Sequence, residues 1–447
     1  MSAEAKTRQN RQSSIAQDAR RPLHSVRRRL ANSTVTTGNE RRTGGRDGGG
    51  SGARAEDIRP ALDGRWRCRP KQYRGVGARK DDADERPMSP EGEMAEARVL
   101  QVAALAAARR STGERQRLVE SEAPVEEFSI RGRRVLIKRD DKMRLAGSGL
   151  SGNKARKLYA LNKIPDDNFP KLVVSHGGHQ SNAMVAIAAV VANKRGAEFV
   201  YYTKPVPRWL RRNPVGNFAR ARALGAKMME VHPDDYRRMF GGLDGPGSPS
   251  SDIAPEGALF LPQGGANALA EEGVSMLAEE IVDYWKAVDR PGQSLKVVLP
   301  AGTGTTALFL ARYLIPEGIA VSTVPCAGDG EYLLRQMAKV DRISGNYQIF
   351  PSIMEGRVRS AFGVPRLGIL ETWRELDSLG LFVDLIYAAP TWAVILEQWD
   401  GDQATKPGNS ETEESQLMFV HCGGLEGVSS QLTRYKHQGL VEDRQMQ

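Results

Sequence analysis

The stretch KLVVSHGGHQSNAMVAIAAVVANKRG, Lys171 to Gly196, decides the fold. Its first six residues, Lys171 to His176, are a short apolar run that reads as a strand. Asn182 to Gly196 reads as a helix ending at a glycine. Between them, HGGHQSNA (His176 to Ala183) hands strand to helix through a glycine-rich turn. Gly177 and Gly178 let the backbone approach a ligand there. The helix start offers unpaired N–H groups and the positive end of its dipole to an anion.

The same texture repeats on both sides. RRVLIKRDD (Arg133 to Asp141) reads as a strand ending in charges, and AEFVYYT (Ala197 to Thr203) as the strand after the helix. NFARARALGAKMMEV continues the alternation. The helix LAEEGVSMLAEEIVDYWKAV, the strand SLKVVLPAG, the helix TALFLARYLI and the strand AVSTVPC follow. Alternating strands and amphipathic helices predict an α/β fold whose parallel-rich sheets are flanked by helices. Two polar loops, Gly241 to Gly257 and Gly401 to Ser415, interrupt the pattern, and no internal repeat is found.

Charge separates this body from what precedes it. The 447 residues carry a net charge of +10, and residues 1–120 account for all of it, with 26 basic and 16 acidic side chains. The other 327 residues hold 38 of each. Residues 1–120 are expected to be a disordered Arg-rich extension with a linker helix near its end. Three readings of it stand: an Arg- and Ser-rich organellar (mitochondrial or plastid) transit peptide, a solvated extension, and a nucleic-acid-binding arm around Arg27 to Arg29. The last is the least favoured, because aromatic interleaving is thin (Trp66, Tyr73). Three cysteines (Cys68, Cys326, Cys422) cannot build a disulfide framework, which points to a reducing compartment. The longest apolar run, Ala183 to Ala192, is far short of the roughly 18 residues of a membrane span. A soluble intracellular protein is the expectation, with no membrane partner.

Two further glycine-rich turns end strands. AGTGTT (Ala301 to Thr306) offers two glycines and three hydroxyls, a composition suited to cradling phosphate. It is neither a Walker A loop nor GxGxxG, which disfavours a nicotinamide cofactor. HCGGLEG (His421 to Gly427) follows the strand LMFV. His176 and His179 have HxxH spacing, but no Cys or carboxylate neighbours them in sequence, so no metal is expected. A fourth constellation, SGNKARK (Ser151 to Lys157), reads as a Lys-bearing tight turn. A lysine, a phosphate cradle and an anion-binding helix start are the parts that pyridoxal 5'-phosphate and an amino-acid carboxylate require.

In these motifs the body resembles the pyridoxal-phosphate enzymes of fold type II, the tryptophan synthase β superfamily. Within it, the resemblance is to the D-cysteine desulfhydrase and 1-aminocyclopropane-1-carboxylate (ACC) deaminase branch. IKRDD (Ile137 to Asp141), GNKARKL (Gly152 to Leu158), GGHQSN (Gly177 to Asn182), AGTGTTA, DLIY (Asp384 to Tyr387) and HCGGLEG carry it, over about Val125 to Gly439. The resemblance implies a two-domain fold, with a large cofactor domain at 121–167 and 264–447 and a small domain at 168–263. It also implies a homodimer acting on a small amino acid. Lys154 would hold the cofactor covalently and move the substrate's α-proton, leaving Lys157 as a helix-surface charge nearby. Asn182 would meet the cofactor's ring hydroxyl, and Ala301, Gly302, Thr303, Gly304, Thr305 and Thr306 its phosphate. Cys422 is expected to be a small buried hydrophobe, with a polar contact to the cofactor's ring as the alternative. Gly178, Gln180 and Ser181 would receive the substrate carboxylate, and Tyr387 would stack on or donate to the bound substrate.

Three positions depart from the branch's ACC deaminases. Ala388 stands where they have Glu, Cys422 where they have Leu, and Phe362 where the family often has Tyr. D-Cysteine is therefore the expected substrate, eliminated to pyruvate, hydrogen sulfide and ammonia. ACC deamination or another amino-acid lyase reaction is the alternative. A non-catalytic member with a nucleic-acid-binding tail is the reading from a different class. Asp140 and Asp141 are expected to be structural, and Cys326, Trp373 and Trp392 to be core.

Overall fold

A computed structural model describes residues 119–441, apart from 122, 241–252, 289, 291, 357–360 and 406–414. The basic extension, its linker helix, Cys68 and most of both polar loops lie outside the described residues. The chain opens with β1 (Val119–Ser121), the hairpin strands β2 (Val125–Ile130) and β3 (Arg133–Lys138), a 3₁₀ turn (Asp140–Lys142) and β4 (Arg144–Leu145). Two short helices follow, α1 (Gly152–Lys157) and α2 (Tyr159–Lys163). Next come β5 (Leu172–His176), α3 (Asn182–Ala192), β6 (Glu198–Thr203), α4 (Arg208–Arg212), α5 (Gly216–Ala223), β7 (Lys227–Glu230), α6 (Pro233–Phe240) and β8 (Leu259–Leu261). The remainder is α7 (Ala270–Ala287), β9 (Leu295–Ala301), α8 (Thr305–Leu314), β10 (Ala320–Pro325), α9 (Gly330–Ile343), β11 (Ser352–Ile353), α10 (Leu367–Ser378), α11 (Ala388–Thr405), β12 (Gln416–Val420) and α12 (Val428–His437).

Besides an antiparallel β1–β4 pair, the strands form a six-stranded sheet in the order β11-β10-β9-β12-β3-β2 and a four-stranded sheet in the order β7-β6-β5-β8. Every pairing in them is parallel except the β2–β3 hairpin. The long apolar runs of β9 and β12 follow from that arrangement, because helices cover both faces of the large sheet. On one face, Leu136, Val297, Leu299 and Met418 pack against α7, α8 and α9. On the other, Val135, Ile137, Val298 and Phe419 pack against α10 and α11, with Trp392 fully buried among them.

Strand order also marks where a ligand belongs. From β9 the chain crosses to β10 on one side, while β12 returns on the other. From β5 it crosses to β6 on one side, while β8 returns on the other. Each sheet therefore has a topological switch point, and open α/β sheets bind ligands in the crevice beyond it. The three glycine-rich turns leave β5, β9 and β12, the strands at these two points.

Several local expectations are corrected. SGNKARK is a helical turn, not a tight turn. The strand from Arg133 stops at Lys138, and Asp140 and Asp141 belong to a 3₁₀ turn. α11 continues to Thr405, past the expected loop start at Gly401. No helix among the described residues is long and apolar enough to cross a membrane.

His176, the last residue of β5, is built into the small sheet's aromatic cluster. Its ring stacks on Phe240 with centroids 4.2 Å apart, and its Nδ1 is 2.9 Å from the Tyr236 hydroxyl. Burial pushes its pKa down to about 4. The unfolded chain, with an ordinary histidine pKa near 6.5, takes up that proton first. Stability is therefore fully present above about pH 6.5 and lost as the pH falls toward 4, by about 3 kcal/mol. Urea unfolding at pH 7 and pH 4.5 should show this loss, and His176→Phe should remove most of it. An unchanged pH dependence in the variant would contradict the assignment.

Candidate active site

The site is built around α1, a six-residue helix whose two ends are fixed by different means. At its start, Gly152 has φ +64, and a Cβ there would overlap the Cys422 carbonyl oxygen. That oxygen accepts the Asn153 N–H at 3.1 Å, joining α1 to the turn that leaves β12. Farther along, the fully buried Arg156 guanidinium pairs with Asp140 (2.8 Å) and, through two bonds of 2.7 Å, with Glu280 on α7. α7 comes this close because residue 273 is glycine; a Cβ on it would collide with the Arg156 carbonyl. Burial opposes ionisation of Glu280, but the Arg156 and Lys138 charges hold its carboxyl below the usual range. Asp141 is likewise engaged, by Arg139 at 2.7 and 2.8 Å. Both aspartates are structural, as expected.

With Arg156 pinned on one side, Lys154 and Lys157 point the other way. Lys157 is not a surface charge. It is 5% exposed and donates to the Gly264 carbonyl at 2.9 Å, with Thr303 Oγ1 at 3.4 Å. Burial, then the neighbouring Lys154 charge, drives its pKa well below the usual lysine range. Burial lowers Lys154 as well, and Cys422 only partly opposes this. Among the described residues neither ammonium has a carboxylate partner. A buried amine and a half-buried one, three residues apart on one helix and without an acid, are costly unless an anion compensates them or a proton is lost.

The expected cradle lies against Lys157. Ala301 ends β9, and Gly302, Thr303 and Gly304 lead into α8, whose first turn has no side-chain cap. Thr303 and Thr305 hydroxyls are 3.0 Å apart, and the buried Thr306 hydroxyl has no hydrogen-bond partner among the described residues. Free N–H groups, an unpaired hydroxyl and the Lys157 amine, which a bound anion would favour in its charged form, together fit a phosphate. Tyr387 closes one wall. Its ring edge lies 3.3 Å from where a Cβ would sit on Gly302. The buried Asp384 carboxylate accepts the Ile386, Tyr387 and Ala388 N–H groups at 2.9, 2.7 and 3.0 Å, which fixes Tyr387 at the start of α11. Burial raises the Tyr387 phenol and the Cys422 thiol, so both stay neutral donors at any ordinary pH. Phe362 meets Tyr387 edge-on at 5.8 Å.

Across the crevice stands the turn after β5. Ser181 caps α3 by accepting the Met184 N–H at 3.3 Å, and its own N–H goes to the Gly178 carbonyl at 3.0 Å. The buried Tyr201 hydroxyl donates to that same carbonyl at 3.2 Å. Gln180 was expected to meet substrate, but its amide is committed elsewhere. Oε1 accepts the Asn217 N–H at 2.9 Å, and Nε2 donates to the Val215 carbonyl at 3.2 Å. Asn182 lies 3.6 Å from where a Cβ would sit on Gly424, so the β5 and β12 turns face each other. Tyr201, Asn217 and Gly264 are parts of this site that the sequence reading missed.

Known proteins agree with the architecture. The chain is 25% identical over 319 residues to a putative 1-aminocyclopropane-1-carboxylate deaminase of Thermotoga maritima, covering 68% of this chain and 92% of that protein. It shares its fold with the crystal structure of an ACC deaminase homologue, at 21% identity and a TM-score of 0.51, over 71% of this chain and 95% of that one. No protein-family model matches the chain. Fold and sequence thus point the same way: the chain shares the fold of an ACC deaminase homologue and is similar in sequence to a putative ACC deaminase.

The cradle's share of anion binding is measurable without any cofactor. Calorimetry with inorganic phosphate should detect binding to the wild-type protein. Lys157→Met should weaken it ten- to about a hundredfold, the worth of one charge-assisted hydrogen bond. Equal affinities would place the anion elsewhere.

Proposed function

We propose that the chain is a pyridoxal-phosphate-dependent amino-acid lyase that eliminates thiolate from D-cysteine. The observation that carries the enzyme reading is the division of labour between the two lysines of α1. Lys157 is committed to the cradle, and Lys154, beside Cys422, is the amine left to hold the cofactor. Bound pyridoxal phosphate supplies an electron sink for the carbanion formed when an amino acid loses its α-proton.

The chain's own groups do the rest. Thr303, Thr305, Thr306 and Lys157 hold the phosphate at the start of α8. The Ser181 hydroxyl and the α3 N-terminus hold the substrate carboxylate. Lys154, whose pKa burial lowers, is the amine placed to take the proton from the substrate's Cα. The Cys422 thiol faces the ring as a neutral donor, and Tyr387 flanks the substrate as a neutral phenol. We take residues 168–263 as the small domain and the segments 121–167 and 264–447 as the large one, with the crevice between them and a dimer by analogy.

The substrate choice rests on two side chains beside Tyr387, the buried Ala388 that follows it and the exposed Phe362 whose ring meets it edge-on. Ala388 is a buried methyl group at the start of α11 that offers no acid there, and Phe362 offers no phenol. Both favour a leaving group on Cβ over opening of a cyclopropane ring. The names of the two relatives favour ACC, so the readings are tested against each other. Pyruvate release should be compared for D-cysteine, L-cysteine and ACC at equal enzyme. D-Cysteine is expected to give at least tenfold higher kcat/KM than either, with sulfide released in equal amount. A preference for ACC would overturn the substrate assignment and leave the enzyme class standing.

A further inference from the structure

The geometry points to Asn217 as the residue that decides which end of the Asn182 amide faces the cofactor. This rests on the reading that Asn182 meets the cofactor's ring oxygen.

The main-chain carbonyl of Gln180 fixes the orientation of the amides around it. That oxygen only accepts. It lies 3.1 Å from Asn217 Nδ2, so the Asn217 amide must present its nitrogen there. The same nitrogen lies 2.6 Å from the Asn182 side chain. An NH₂ group has no acceptor capacity, so Asn182 must present Oδ1 to it. The Asn182 nitrogen is then left as the free end. That nitrogen faces Gly424, at the mouth of the turn that carries Cys422. A chain of three amides thus runs from fixed backbone to the crevice and delivers a donor, never an acceptor, to the ring oxygen.

Asn217 is placed for this by its own segment. It is 5% exposed, sits in the first turn of α5, and its N–H is held by Gln180 Oε1 at 2.9 Å. α5 packs against the 3₁₀ turn Leu425–Gly427 across the crevice, which keeps the amide from swinging away. Asn217 touches neither substrate nor cofactor on this account. It is a positioning residue acting through Asn182.

A carboxylate at this position accepts only. Asn217→Asp should make Asn182 turn its nitrogen toward the new carboxylate and its oxygen toward the ring. The ring oxygen would then be held as a hydroxyl. The test is the absorption spectrum of cofactor-saturated protein between pH 6 and 9. Asn217→Asp is expected to move at least half of the cofactor absorbance to a shorter-wavelength band. Asn217→Ser, a gentler change, should move a smaller part in the same direction. In an Asn182→Ala background, Asn217→Asp should add no further spectral change, because the relay is already cut. A spectrum unchanged by both substitutions, or an equal shift in the Asn182→Ala background, would overturn the inference. Wild-type protein with no cofactor band would instead overturn the parent reading, and this inference with it.

Discussion

The site depends on one buried ion cluster. Arg156 is held between Asp140, in the 3₁₀ turn after β3, and Glu280, on α7, with Lys138 sharing the second carboxylate at 2.7 Å. Such a cluster adds little net stability, since desolvating the charges cancels most of their attraction. Removing one member, however, leaves an uncompensated buried charge and costs about 3–5 kcal/mol. Its value here is orientation. A helix of six residues has no independent stability and no preferred rotation. Arg156 fixes that rotation, so Lys154 and Lys157 reach the crevice instead of solvent. The carbonyl contact at Gly273 and the carbonyl overlap avoided at Gly152 set the remaining two coordinates.

Around this helix, the two sheets bring their switch points together. Lys157 links the turn after β8 to the turn after β9, and Asn182 faces the turn after β12. Each of these turns is glycine-rich because backbone, not side chain, must approach the ligand. Polar side chains near the crevice are spent on holding those turns in shape. Gln180 holds α5, Asp384 holds α11, and Tyr201 holds the Gly178 carbonyl. The functional groups left over among the described residues are few: two amines, one thiol, one phenol, one serine hydroxyl, three threonine hydroxyls and one amide.

Much of this was legible in the sequence, and the exceptions have physical reasons. Strand–turn–helix alternation and the three glycine turns show directly, because apolar period and glycine are local signals. The helical state of GNKARK does not, since six residues are less than two turns and Gly152 mimics a tight turn. Lys157 looks like any surface lysine until the Gly264 carbonyl, 107 residues later, is seen to accept its hydrogen bond. Gln180 looks like a ligand-binding amide because nothing in its neighbourhood announces Asn217, 37 residues away. Tyr201 sits in a strand pattern that accounts for it fully as core. Partners brought together by topology leave no mark on periodicity. The net charge of +10 lies entirely in residues 1–120 and has no bearing on the neutral body that forms the crevice.

The central claim is that α1 offers its two lysines to one cofactor in different roles. The most direct measurement is the near-ultraviolet to visible spectrum of the protein saturated with pyridoxal phosphate, for wild type, Lys154→Ala and Lys157→Ala. The account predicts a band at the edge of the visible in wild type that is abolished in Lys154→Ala. In Lys157→Ala the band should persist but need at least tenfold more cofactor to fill. A band that survives Lys154→Ala and disappears in Lys157→Ala would contradict it.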